Sequence, residues 1–167
     1  IQLDPSYAEA YRWLGDLLVS SPRRLYDQAI QAYQKALEQA PDLAEAYVGL
    51  GDARQAKGQF DEALAEYRKA LAIEPANARV HFGMGKIYYQ EKQQYHEAVA
   101  EYQKAIKLEP HFTEAHMSLG ELYEEKGLYA EAIERYRHVL GADPNHPGAT
   151  FGLARAYESV DPAKAIA

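Results

Sequence analysis

The sequence predicts an all-α fold, an α-solenoid of stacked antiparallel helical hairpins, and three observations carry that prediction. Prolines recur at Pro5, Pro41, Pro75, Pro110 and Pro144, with spacings of 36, 34, 35 and 34 residues. A regular interval of that size marks one supersecondary unit copied along the chain. Aligned on those prolines, Leu14, Leu50, Met84, Leu119 and Leu153 form a column, each followed at once by a small residue: Gly15, Gly51, Gly85, Gly120 and Ala154. A second block of columns follows in Ala29, Ala63, Ala98, Ala132 and Ala165, then Tyr33, Tyr67, Tyr102 and Tyr136, then Ala36, Ala70, Ala105 and Val139.

Each unit divides into two segments whose apolar residues recur at spacings of three and four, the period of an amphipathic helix. Residues 1–5 read as the end of a preceding repeat, because Ile1-Gln2-Leu3-Asp4-Pro5 parallels Leu71-Ala72-Ile73-Glu74-Pro75. Full repeats then span 6–41, 42–75, 76–110 and 111–144, and residues 145–167 form a truncated fifth. The chain is therefore expected to be a fragment of a longer array or multidomain protein, since solenoids close with polar capping elements.

The first repeat opens with Ser6 and Glu9 at capping-box spacing and carries two extra residues around Ser20 to Arg24. In the second, Asp42 and Glu45 repeat the capping box, and helices are predicted over about Asp42–Lys57 and Phe60–Ile73 with Gly58 as the stop between them. The third has one extra residue near Lys92-Gln93-Gln94. Such insertions fall in surface turns and leave the hairpins intact. Proline closes each unit because it lacks the amide hydrogen that the helical ladder needs. The small columns let helix backbones approach while Leu and Tyr fill the remaining volume. A hairpin this short cannot bury its own apolar face, so the units must stack.

In the second unit Tyr47, Leu50, Gly51, Ala63, Tyr67, Ala70 and Pro75 match the tetratricopeptide repeat signature, and the chain resembles that family over nearly its whole length. Departures are Arg54, where later units carry Tyr88, Tyr123 and Tyr157, and Ala154 in the glycine column. The resemblance implies a right-handed superhelix whose first helices line a concave groove that holds ligands. It implies a protein–protein interaction scaffold binding a peptide or protein segment along that groove. An alternative of a different class is a non-catalytic regulatory or substrate-recruiting region of a larger multidomain enzyme.

Composition narrows the partners. A net charge of −7 argues against nucleic acid, whose affinity rests on clustered Lys and Arg. Membrane insertion is not expected, since no run approaches the ~18 to 20 apolar residues of a spanning helix. The absence of cysteine removes disulfides and thiolate chemistry and leaves the compartment open, with a soluble, cytoplasmic chain slightly favoured. Self-association through exposed terminal repeat faces is a further expectation.

Chemistry-bearing motifs are sparse. His111 and His116, the nearest histidine pair, lack the three- or four-residue spacing of helical metal ligands, so no metal is expected. The Gly83-Met84-Gly85-Lys86 run lies inside a predicted helix and cannot cradle phosphate. Glu121, Glu124 and Glu125 read as a solvated helix face, and the tyrosine column as core packing, as aromatic stripes usually are. No cofactor and no enzymatic activity are expected.

The groove expectation is residue-specific. In the third unit the core takes His81, Met84, Gly85 and Tyr88, leaving Arg79, Phe82, Lys86 and Tyr89 at spacings of three, four and three on the other face. Arg12, Val48, Asp52, Met117, Phe151 and Arg155 occupy the matching face of the other units. They suggest an apolar floor of Val48, Phe82, Met117 and Phe151, a basic and aromatic centre, and acidic flanks. Two specialised uses of the resembling family do not fit. A carboxylate-gripping groove would want amide or basic side chains at Asp16, Gly49 and Gly83, and an asparagine ladder would replace Trp13, Gly49, Gly83, Ser118 and Gly152.

Overall fold

The computed structural model describes residues 5–21, 25–91 and 93–160. Among them the chain forms nine α-helices and no strand: α1 (Pro5–Ser20), α2 (Tyr26–Gln39), α3 (Ala44–Ala56), α4 (Phe60–Ile73), α5 (Ala78–Gln90), α6 (Tyr95–Leu108), α7 (Thr113–Glu125), α8 (Tyr129–Ala142) and α9 (Pro147–Val160). They fall into two compact units, one ending at Ile87 and the other beginning at Tyr88. In unit 1, α1 pairs with α2, α3 pairs with α4, and α2 packs on α3. In unit 2, α7 pairs with α8 and lies against α6, while α8 packs on α9.

Helix ends follow local chemistry. Gly58 and Gly127 adopt φ of +77° and +72°, a region where a side chain would be strained. Gln59 N–H then donates to the Arg54 carbonyl and Gly58 N–H to that of Gln55, at 2.9 Å each. This is the Schellman arrangement that satisfies the last carbonyls of a helix. Leu128 and Gly127 repeat it on Tyr123 and Glu124 at 2.8 and 3.0 Å. The extra residue of the third hairpin turn puts Gln93 at φ 51°, with Gln94 N–H reaching back to the Tyr88 carbonyl at 2.8 Å. Pro41, Pro75, Pro110 and Pro144 each stand two residues beyond a helix end.

The capping box expected at Asp42 and Glu45 does not form. Residues 41–42 make a turn closed by Leu43 N–H on the Ala40 carbonyl at 3.2 Å, so α3 starts two residues late with Leu43 as its N-cap and no side-chain cap. The Ser6 side chain, most of the Ser20–Arg24 insertion, Lys92 and Ala165 lie outside the described residues.

The core is the tyrosine column with its small neighbours. Tyr33, Tyr67, Tyr102 and Tyr136 are almost completely buried, as are Ala29, Ala63, Ala98 and Ala132. Leu50, Met84 and Leu119 are buried, Leu153 is partly so, and Leu14 is exposed. The difference has a packing cause: Leu50 sits in a cluster with Ala29, Tyr33 and Ala36 of the preceding helix α2, and no described helix precedes α1. Trp13 and Leu17 of α1 are exposed as well.

Candidate functional site

Glycine positions explain how the core tyrosines reach the carboxylates of the first helices. An ideal Cβ on Gly15 would lie 2.6 Å from the Tyr33 ring, and one on Gly49 would lie 2.3 Å from it. Tyr33 is thus held between two glycines, one from its own hairpin and one from the next. Tyr67 stands in the same way between Gly51 and Gly83, with Cβ distances of 2.6 and 2.9 Å, and Tyr136 between Gly120 and Gly152, with 2.8 and 2.6 Å. Because neither side offers a methyl group, each ring lies flush against helix backbone and its hydroxyl emerges beyond the glycines.

There each hydroxyl meets a carboxylate. Tyr33 donates to Asp16 Oδ1 at 2.7 Å, Tyr67 to Asp52 Oδ1 at 2.6 Å, and Tyr136 to Glu124 Oε2 at 3.0 Å. Burial first, and the adjacent acid with it, pushes all three phenols well above their ordinary pKa, so they act as donors. Beside Tyr102 in the sequence pattern, Ser118 stands where the other units have the second glycine, and burial is the first cause that raises this phenol as well.

The carboxylates in turn hold arginines. Arg12 binds Glu9 at 2.9 Å and Asp16 at 2.7 Å, Arg79 pairs with Asp52 Oδ2, and Arg155 donates to Glu124 Oε1 at 2.6 Å. The Asp52 charge keeps Arg79 above the ordinary guanidinium value despite partial desolvation. A tyrosine–carboxylate–arginine chain therefore leads from the core to the surface in three hairpins.

In unit 1 these chains border a cleft of about 310 Å³ lined by Arg12, Asp16, Val48, Gly49, Asp52 and Arg79, with Tyr33, Glu45 and Asn77 also on its wall. Val48, expected as apolar floor, lines the cleft but is buried, so it offers a ligand little surface. Phe82 and Lys86 are half-buried, with the Lys86 ammonium 5.8 Å from the Phe82 ring centroid. Arg79, expected in a basic centre, has its charge matched by Asp52.

Unit 2 carries the remaining expected residues. Tyr89 donates to Glu125, which Tyr95 also reaches at 3.2 Å, and the Tyr89 hydrogen bond is the main cause holding that carboxyl below its usual range. Met117 is half-buried and packs into the α8–α9 cluster. Phe151 is exposed, with the Arg155 guanidinium 5.4 Å from its ring centroid. The glutamate run of α7 is more than a solvated face, since Glu124 joins Tyr136 to Arg155 and Glu125 joins Tyr89 to Tyr95.

A histidine stack escaped the sequence reading. The His116 ring lies 3.9 Å from that of His138, which lies 5.9 Å from His111, and both His116 and His138 place Nε2 on the Pro110 carbonyl, at 3.0 and 2.8 Å. No spacing rule joins a residue of α7 to one of α8. Among the described residues, no group of three or more His, Asp or Glu is placed to hold a metal ion, and no helix is long and apolar enough to cross a membrane.

A TPR repeat model matches residues 26–58 and 51–91, and a tetratricopeptide repeat model matches 87–147 and 127–167. No significant match exists among curated proteins. Among solved structures, PilF of Pseudomonas aeruginosa is similar with a TM-score of 0.84 and 28% identity, over 96% of this chain and 72% of that one. YrrB, described as a TPR protein with an unusual peptide-binding site, gives 0.73 and 26% over 95% and 80%. MamA gives 0.81 at 24% identity over 98% and 88%, a likeness of fold.

Proposed function

The chain belongs to the tetratricopeptide repeat family, and from that premise we propose that it is a protein-interaction module that binds a peptide or protein segment on the faces of its first helices. The observation that carries the proposal is the unit 1 cleft, where Arg12, Asp52 and Arg79 converge beside Val48 and Gly49. A concave cleft with several charged groups held at fixed positions over helix backbone has the elements of a peptide site. The peptide-binding site named for the similar YrrB supports the same reading. Phe82 and Lys86 on α5 are assigned to this surface, and Tyr89, Met117, Phe151 and Arg155 to the corresponding surface of unit 2. No reaction is assigned to either.

The test is selection of a random peptide library on the purified chain, followed by affinity measurement on Phe82→Ala and on Glu45→Ala at the cleft wall. Enriched peptides should lose about tenfold or more in affinity on each variant, the size of a lost interface anchor. Melting temperatures should stay near wild type. Unchanged affinity on both folded variants would move the site to another face.

A further inference from the structure

The two partners of the Asp52–Arg79 pair are not held alike. Asp52 has a side chain 25% exposed, sits in the middle of α3, and accepts the buried Tyr67 hydroxyl at 2.6 Å, so the core fixes it in place. Arg79 is 70% exposed, lies at the second position of α5, and has its guanidinium on Asp52 Oδ2. An ion pair with one partner this exposed contributes little to stability and is readily exchanged. One half is a built receptor and the other a side chain that can leave. Unit 2 repeats the asymmetry independently: Glu124 is 9% exposed and held by Tyr136, while its partner Arg155 is 53% exposed.

We infer that the cleft recognises a cationic side chain, lysine or arginine, of a partner peptide, which takes the place of Arg79 on the Asp52 carboxylate. The inference rests on the peptide-binding reading above and adds the chemistry of the anchor. Charge in the cleft favours it. Arg12 is committed to Glu9 and Asp16, so departure of Arg79 leaves Asp52 without its ion-pair partner, with the exposed Glu45 on the same cleft wall. Binding exchanges one ion pair for another, so its affinity comes from the rest of the peptide and its selectivity from the charge. An acidic side chain would have to separate Arg79 from Asp52 and then lie beside three carboxylates, those of Asp16, Glu45 and Asp52.

The experiment uses two fluorescein-labelled hexapeptides that share an apolar middle and differ only in carrying two arginines or two glutamates, titrated by anisotropy at low salt. The arginine peptide should saturate, weaken as salt rises, and lose about tenfold or more on Asp52→Asn, as expected for a charge-assisted bond. That variant keeps an amide oxygen for the Tyr67 hydroxyl, and its melting temperature reports whether it folds. Arg79→Ala should tighten binding by about two- to fivefold, because it removes the internal competitor. A shift of the Arg79 Nε–Hε resonance on adding the arginine peptide should accompany binding. Preference for the glutamate peptide, with loss on Arg79→Ala, would overturn the charge assignment and leave the peptide-binding reading standing. Failure of the arginine peptide to saturate, or weaker binding by Arg79→Ala, would also overturn it.

Discussion

Gly49→Ala adds a single methyl group and exposes how the core is built. Its Cβ would stand 2.3 Å from Tyr33 Cζ and 2.4 Å from Cε1, where ordinary contacts begin near 3.4 Å. The ring has nowhere to go, because on its other face a Cβ at Gly15 would already be 2.6 Å away. Alanine therefore forces helix α3 outward or drags the Tyr33 hydroxyl off Asp16, now 2.7 Å away. Overpacking of this kind costs about 1–3 kcal/mol, and a lost hydrogen bond to a charged group about 1.5–3 kcal/mol. Alanine returns about 1 kcal/mol through its better helix propensity. With both costs incurred the expected net loss is about 1.5–5 kcal/mol on these magnitudes, read from urea unfolding followed by far-ultraviolet circular dichroism. Amide exchange should quicken first in α2 and α3, since repeat proteins respond locally. Gly141→Ala is the control: its Cβ would meet nothing within 4 Å, so helix propensity acts alone and stability should rise by up to about 1 kcal/mol. A Gly49→Ala protein as stable as wild type would refute the sandwich argument.

Three further outcomes are expected. Leu50→Ala should cost about 2–5 kcal/mol in the same unfolding assay, because the residue is buried between α2 and α3 and leaves a cavity. Asn77→Ala should cost about 0.5–2 kcal/mol, since Asn77 Oδ1 accepts the Val80 N–H at 3.1 Å and caps α5. For His116, burial lowers the pKa, the Pro110 hydrogen bond opposes this, and His138, Arg135 and His111 lower it further. The unfolded chain thus takes up this proton more readily, so the contribution is complete above the unfolded value of about 6.5 and is lost as pH falls towards the lower folded value. Melting temperature should therefore drop between pH 7.5 and 5.5 for wild type and drop less for His116→Gln.

Much of the fold was legible because its constraints are local and repeated. A proline two residues past each second helix and a large–small pair in each first helix survive as columns whatever the intervening surface does. On that basis the pattern predicts Phe60–Ile73, the observed bounds of α4, whereas it starts α3 two residues early because a capping box at Asp42 and Glu45 looks the same whether the chain turns before or after it. The candidate site was less legible. Asp52 falls on the face opposite the core and the tyrosines in the core column, but nothing along the chain says that a core hydroxyl passes between two glycines to reach a carboxylate on the far side. The signal was present in the paired columns Gly15 and Gly49, Gly51 and Gly83, Gly120 and Gly152, each pair flanking one tyrosine. The stack of His116 on His138 had no such signal, because it depends on how α8 lies against α7.

Placement of the ligand is tested most directly by photo-crosslinking a library-selected peptide to chains that carry a benzophenone side chain at one of two positions, Phe82 on α5 or the exposed Ala65 on the second helix α4. Binding at the first-helix face requires strong crosslinking from position 82, suppressed by unlabelled peptide, and little from position 65. Crosslinking confined to position 65 would contradict it.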